Sequence, residues 1–204
     1  TAYDLRMSKL SDFSQEIRVA SADDQKLRWI VGGTYSERDY EAQTPTLAAG
    51  LRLGGFNDPG DFFEAKTSAV FGAATYDFND WATLSVEARY QWDKIKEGDI
   101  GGNELSETFK AFTPRVILDL KPNEDTTVYL NYARGTNPGR FNPALVGRTQ
   151  AELDQIAQQT GADTSVPEER LDNFEVGVKG NLMDGRASYS VAAYYAKWRN
   201  VQIP

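Results

Sequence analysis

Between Leu84 and Asp93 apolar and polar side chains trade places at every residue. Leu84, Val86, Ala88, Tyr90 and Trp92 alternate with Ser85, Glu87, Arg89, Gln91 and Asp93. A period of two belongs to a β-strand, whose successive side chains point to opposite faces, and a helix would scatter this set around its circumference. The segment therefore demands a sheet with one greasy side and one wet side.

The same pattern recurs along the chain. Thr108–Asn142 reads as a hairpin, with Phe112, Pro114, Val116, Leu118 and Leu120 on one face and Thr113, Arg115 and Asp119 on the other, Ile117 being the apolar exception. Pro122–Thr126 forms its turn, and Val128, Leu130 and Tyr132 return against Thr127, Asn131 and Ala133. Further strands are expected over Ser14–Ala20, Lys26–Arg38, Ala65–Phe78, Asn173–Met183 and Arg186–Trp198. Together they make about eight strands, enough neighbours to stabilise a hairpin that alone is marginal.

The connections come in two kinds. Tight turns fall near residues 21–25, 79–80, 122–126 and 184–185, where Asp184-Gly185 is a type I′ signal. Long connections fall near 39–64, 96–107 and 136–170. Inside the last, Thr149-Gln150-Ala151-Glu152 has the form of a capping box, and the helix it starts is expected to end at Gly161. Every second connection of an antiparallel meander lies at the same end, so short turns gather at one end and long loops at the other. That asymmetry, with Trp29, Tyr35, Tyr76, Trp81, Tyr90, Trp92 and Trp198 near strand ends, favours a transmembrane β-barrel. The rival architecture is a soluble sandwich or small eight-stranded barrel holding an apolar ligand, with the same greasy face turned inward.

Composition removes other classes. The 204 residues contain neither Cys nor His, which leaves no disulfide framework, no thiolate site and no obvious Ser-His or zinc-water hydrolase; an outer-membrane enzyme is the weakest reading. No catalytic, metal or cofactor site is expected. A net charge of −8 without a Lys/Arg cluster argues against nucleic acid. No apolar run reaches the ~20 residues of a membrane helix, but a barrel strand needs only ~9–11 alternating residues. The chain starts at Thr1 without a secretory leader and reads as a processed or excised piece.

Several segments together resemble the barrel of a TonB-dependent outer-membrane receptor: FSQEIRVAS (Phe13–Ser21), LRWIVGGTY (Leu27–Tyr35), AVFGAATYDFND (Ala69–Asp80) and LSVEARYQWDK (Leu84–Lys94). Phe112–Asn142 and Leu171–Ile203 extend the resemblance in the same order. It implies an all-β, antiparallel up-and-down meander that forms part of a barrel of about 22 strands in the outer membrane of a Gram-negative bacterium. The implied partners are outer-membrane lipid and lipopolysaccharide, a scarce small-molecule ligand of siderophore type or another class, and the TonB complex acting through an N-terminal region. A TonB box, a plug domain and a closing strand with a terminal aromatic are missing from residues 1–204, which therefore read as a partial barrel domain.

The resemblance places ligand contacts on the lumen wall and the outer loops. The candidates are Arg89 and Arg115 on the wall, with Glu87 beside them, and Arg134, Asn137, Arg140 and Phe141, with Asn142, where the long loop begins. Arginine suits two-pronged contact with carboxylates or phosphates, and Phe141 could stack. The plainer account is preferred for each: cross-strand pairing and solvation of the wall for the charges, Gly/Pro loop architecture for the rest. The 39–61 loop and the 150–160 helix are better candidates as units. Asp154, Asp163, Glu168 and Glu169 lack the spacing of a calcium loop and read as a solvated acidic surface.

Overall fold

The computed structural model describes residues 7–43, 60–142, 145 and 148–202. Its strands are β1 (Met7–Ala20), β2 (Leu27–Gln43), β3 (Asp61–Asn79), β4 (Ala82–Asp99), β5 (Glu104–Asn123), β6 (Thr126–Asn137), β7 (Arg140–Phe141), β8 (Ser165–Val166), β9 (Glu169–Leu182) and β10 (Ala187–Arg199). One helix, α1 (Gln150–Thr160), interrupts them. Eight strands form one antiparallel sheet in the order β1-β2-β3-β4-β5-β6-β9-β10, and β7 pairs with β8 in a separate ribbon. This is the expected meander, and among the described residues β1 and β10 remain its two open edges.

Register carries the alternation across the sheet. Leu27, Tyr76, Leu84, Leu118, Leu130, Val176 and Ala193 stand opposite one another in a continuous row. One residue along, Arg28, Thr75, Ser85, Ile117, Asn131, Glu175 and Tyr194 form the row of the other face. A slip by one residue would exchange the two faces of a strand, so two chemically distinct faces hold every strand in register.

The strands outrun the expectation at one end only. Residues 39–43 and 61–64 extend the β2–β3 pair, and the connection expected over 96–107 is mostly strand, with its turn confined to about Ile100–Asn103. Phe62 and Phe63 are adjacent there and charged residues fall on both faces, so the period-two alternation breaks down and does not mark these ends as strand. Residues 44–59, the centre of the other long connection, lie outside the described residues. The β9–β10 turn is one step more elaborate than a two-residue hairpin: Met183, Asp184 and Gly185 are all left-handed, with φ of 53°, 55° and 85°.

The sheet is a single layer with almost no core. On its apolar face Ile17 is 77% exposed, and Val191 and Tyr195 are each 65% exposed. Aromatic residues border that face at two levels. Tyr76 and Phe78 meet edge to face at 5.0 Å beside the tight turns, with Trp81 next to them. Tyr35, Tyr90, Trp92, Phe112, Phe174 and Tyr195 stand about eight to eleven residues above those turns, which at a tilt of about 40° is a rise of about 20–28 Å. That matches the ~25 Å apolar band of a membrane barrel.

Candidate functional site

The polar face carries a chain of hydrogen bonds across three strands. Arg89 donates from Nη2 to Thr34 Oγ1 at 3.1 Å and from Nε to Gln91 Oε1 at 3.0 Å. Gln91 donates to Asp93 Oδ2 at 2.7 Å, and Thr67 donates to Asp93 Oδ1 at 2.6 Å. Asp93 is only 5% exposed, yet both its oxygens are occupied, which is what makes a buried carboxylate tolerable. Arg38 and Asp12 pair at 2.6 Å nearer the long-loop end. Asp12, Arg38, Thr67 and Asp93, with Ser14, Ser36 and Pro138, border a recess of about 600 Å³.

Above the recess the polar face turns apolar. Ile95 and Phe109 are buried against Phe141, with Phe63 and Leu105 packed beside them. Phe141 reaches them because β7 and β8 fold the long connection back over the strands; Phe109 and Phe141 are 6.2 Å apart between ring centres. Close approach is possible because residue 139 is glycine. A Cβ there would lie 2.1 Å from Phe109 Cε1 and 2.4 Å from the Val166 carbonyl oxygen. The base of the loop is fastened from the chain's far end: Asn200 donates to the Glu168 carbonyl at 3.0 Å, and Gln202 to that of Pro138 at 3.0 Å.

The helix within this connection is the expected one. The Thr149 side chain accepts from the Glu152 amide, the Glu152 carboxylate accepts from the Thr149 amide at 2.8 Å, and Gly161 closes the helix at φ 70°. The Thr149 amide, and then its hydroxyl, hold the Glu152 carboxyl below its ordinary value of 4.5. At the loop end of β4, burial pushes the Glu97 carboxyl up; Asp61 adds to this and the Arg140 charge opposes it.

The six candidate residues are not gathered into one cluster. Arg89 is tied into the wall network, and Arg115 faces Glu87 at 3.7 Å with both side chains half exposed, the expected cross-strand pair. Arg134 does not begin the loop. It lies in β6 on the same face as Leu130 and Tyr132, 2.7 Å from Asp172, which also accepts from Tyr132 at 2.9 Å. Asn137, on the polar face, donates to Glu169 at 3.4 Å. Arg140 is exposed at the mouth, whereas Phe141 is buried as the anchor of the loop. Asp12, Arg38, Thr67 and Asp93 were not among the candidates, although Asp93 stood on the polar side of the Leu84–Asp93 alternation. Their spacing signals only a polar face, and what brings them together is pairing between distant strands.

Glu37, Asp39 and Glu64 place carboxylate oxygens within 4.8 Å of one another on the opposite face. Lys66 enters that cluster, 2.7 Å from Glu37 and 3.0 Å from Glu64, and offsets one of its three negative charges.

A membrane-height apolar band and a polar face capped by a folded-in loop define a segment of a membrane barrel wall. The family model described as TonB dependent receptor-like, beta-barrel, matches residues 4–204, and the chain belongs to that family. Solved structures agree in fold. The alcaligin outer-membrane receptor FauA of Bordetella pertussis is 18% identical, with a TM-score of 0.67 over 98% of this chain and 31% of its own. The ferric yersiniabactin uptake receptor FyuA of Yersinia pestis is 16% identical, with a TM-score of 0.68 over 97% of this chain and 30% of its own. The ferric preacinetobactin receptor BauA of Acinetobacter baumannii is 18% identical, with a TM-score of 0.63 over 95% and 30% respectively. The chain thus spans about a third of the length of the structures it matches. The family and these neighbours are transport receptors, not enzymes.

Proposed function

We propose that these eight strands form part of the wall of a larger barrel in a Gram-negative outer membrane, in a receptor that imports a scarce small ligand of siderophore type. Energy would come from TonB, acting through a plug held elsewhere in the receptor. The observation that carries this reading is the single-layer sheet itself, whose apolar face is covered by none of the described residues while its polar face is hydrogen-bonded and capped by a loop. In water such a face is an aggregation surface, and in a bilayer it is solvated. The two unpaired edge strands call for further strands in the same wall.

Ligand recognition belongs to the mouth. Of the six candidates, Arg140 offers an exposed guanidinium at the mouth, and an anionic chelate would meet it first, whereas Arg115 lies further down the wall beside Glu87. Arg89, Asn137 and Phe141 shape the wall and loop around them, and Arg134 acts from the lipid side. Replacing Arg140 by Ala is expected to weaken ligand binding about 10- to 100-fold, the range for losing a charged hydrogen bond, as measured by calorimetry on the receptor.

Spin labels at successive positions from Thr83 to Asp93 test the membrane reading. Labels at Val86, Ala88 and Tyr90 are expected to be accessible to oxygen dissolved in lipid, and those at Ser85, Glu87 and Arg89 to a water-soluble nickel chelate. The inverted pattern would establish the rival soluble barrel with an apolar interior.

A further inference from the structure

The geometry points to the recess in the polar face as a binding site for a neutral, polyhydroxylated ring of the saccharide class. The inference rests on the receptor reading above and names one part of the imported ligand. The recess measures about 600 Å³, within the ~300–1,000 Å³ usual for small-molecule sites. Its floor is polar. Ser14 and Ser36 stand directly across from each other, and Asp12 and Arg38 do the same two residues along, on the same face. The other side is apolar, made by Phe63 and Ile95 with Pro138 of the folded-back connection.

The polar groups of the floor keep unused hydrogen-bonding capacity. Arg38 engages Asp12 through Nε alone, and Asp12 accepts through Oδ1 alone. Among the described residues both Arg38 Nη groups, Asp12 Oδ2 and the two serine hydroxyls have no hydrogen-bond partner. Nε and Oδ1 are 2.6 Å apart, so donors and an acceptor stand side by side. A saccharide ring calls for that set, because each hydroxyl donates and accepts, and neighbouring hydroxyls can meet a guanidinium and a carboxylate held together. Its C–H face is apolar and suits Phe63 and Ile95. Charge separates this class from the anionic chelate that meets Arg140. Asp12 and Asp93 oppose the single guanidinium of Arg38, and Glu37 at the border is already paired with Lys66. A recess with more carboxylate than guanidinium repels an anion and leaves a neutral ring unopposed.

The test uses the receptor that carries this segment, purified from outer membranes in detergent. The neutral probes are the methyl glycosides of glucose, galactose and mannose, and ferric citrate is the anionic one. Binding is read by saturation-transfer NMR titration, and barrel integrity by the gel shift between unheated and boiled samples. At least one glycoside is expected to bind, and ferric citrate should not displace it. Asp12→Asn should weaken that binding about 10-fold, the loss for one charged hydrogen bond, and Ser36→Ala about threefold, the loss for a neutral one. Lys179→Gln, on the same face but close to the tight-turn end of β9, should leave it unchanged. Should Asp12→Asn fail to fold, Ser36→Ala alone is expected to show the threefold loss. No glycoside binding, binding indifferent to both substitutions, or displacement by ferric citrate would overturn the recess site and leave the receptor reading intact. A protein recovered only from the soluble fraction would overturn both.

Discussion

At the scale of single residues, small side chains decide where the loop can sit. Phe141 is aromatic and opens a loop, a combination that suggests a ligand-stacking ring. Its burial against Phe109 and Ile95 makes it the anchor of the fold-back instead. Phe141→Ala is expected to destabilise the folded-back loop by about 3 kcal/mol, as for other buried Phe truncations, without unfolding the barrel. Faster amide exchange across residues 140–166, with the sheet unaffected, would verify it. Gly139→Ala should produce the same opening for a different reason, since its new methyl group would overlap the Phe109 ring. A protease cut in the loop at native temperature is the simplest readout, and continued resistance would contradict the close-approach account.

At the scale of elements, α1 was legible from its two ends alone. The capping box and the terminal glycine are local chemistry, and they hold in the structure although the helix buries none of its residues. Such a helix depends on its caps, and Thr149→Ala should cost it about 1 kcal/mol. Its pH dependence has a definite sign. The Glu152 carboxyl is held below its ordinary value of 4.5, so the unfolded state takes up a proton first as the solution is acidified. The cap's contribution is therefore complete above about pH 4.5 and is lost as pH falls through the lower folded-state value. NMR titration of the Glu152 carboxyl checks the direction, and a midpoint at or above 4.5 would contradict it. The strands divide differently. Where one face is apolar, as in β4 from Leu84 to Trp92, periodicity located them. The ends at 39–43, 61–64 and 96–99, with charged residues on both faces, carry no such mark, and only their hydrogen-bonded neighbours reveal them.

At the scale of the whole molecule, two faces with different solvents explain the stability of a one-layer sheet. Leu118 lies about five residues above its turn, near the middle of the apolar band. Leu118→Arg is expected to cost about 2–4 kcal/mol in a bilayer-refolded receptor, measured by denaturant titration in vesicles. Ser85→Arg, at the neighbouring position on the opposite face, should cost far less, because that side of the wall is wet. Equal costs at both positions would mean that the faces are not solvated differently.

The amino-acid sequence by itself determined the class of fold. Period-two alternation, turn residues at one set of ends and the absence of His and Cys are local properties, readable without knowing which strand lies beside which. The same is true of the resemblance that led to the receptor family. What the sequence left open depends on pairing across long chain separations. The Thr34–Arg89–Gln91–Asp93–Thr67 network joins three strands, and the Phe109–Phe141 contact needs the loop's return path. Arg134 was assigned to a loop because nothing local shows that Asp172 waits for it on the next strand. Alternation decides which way a side chain points; only the assembled sheet decides what it meets.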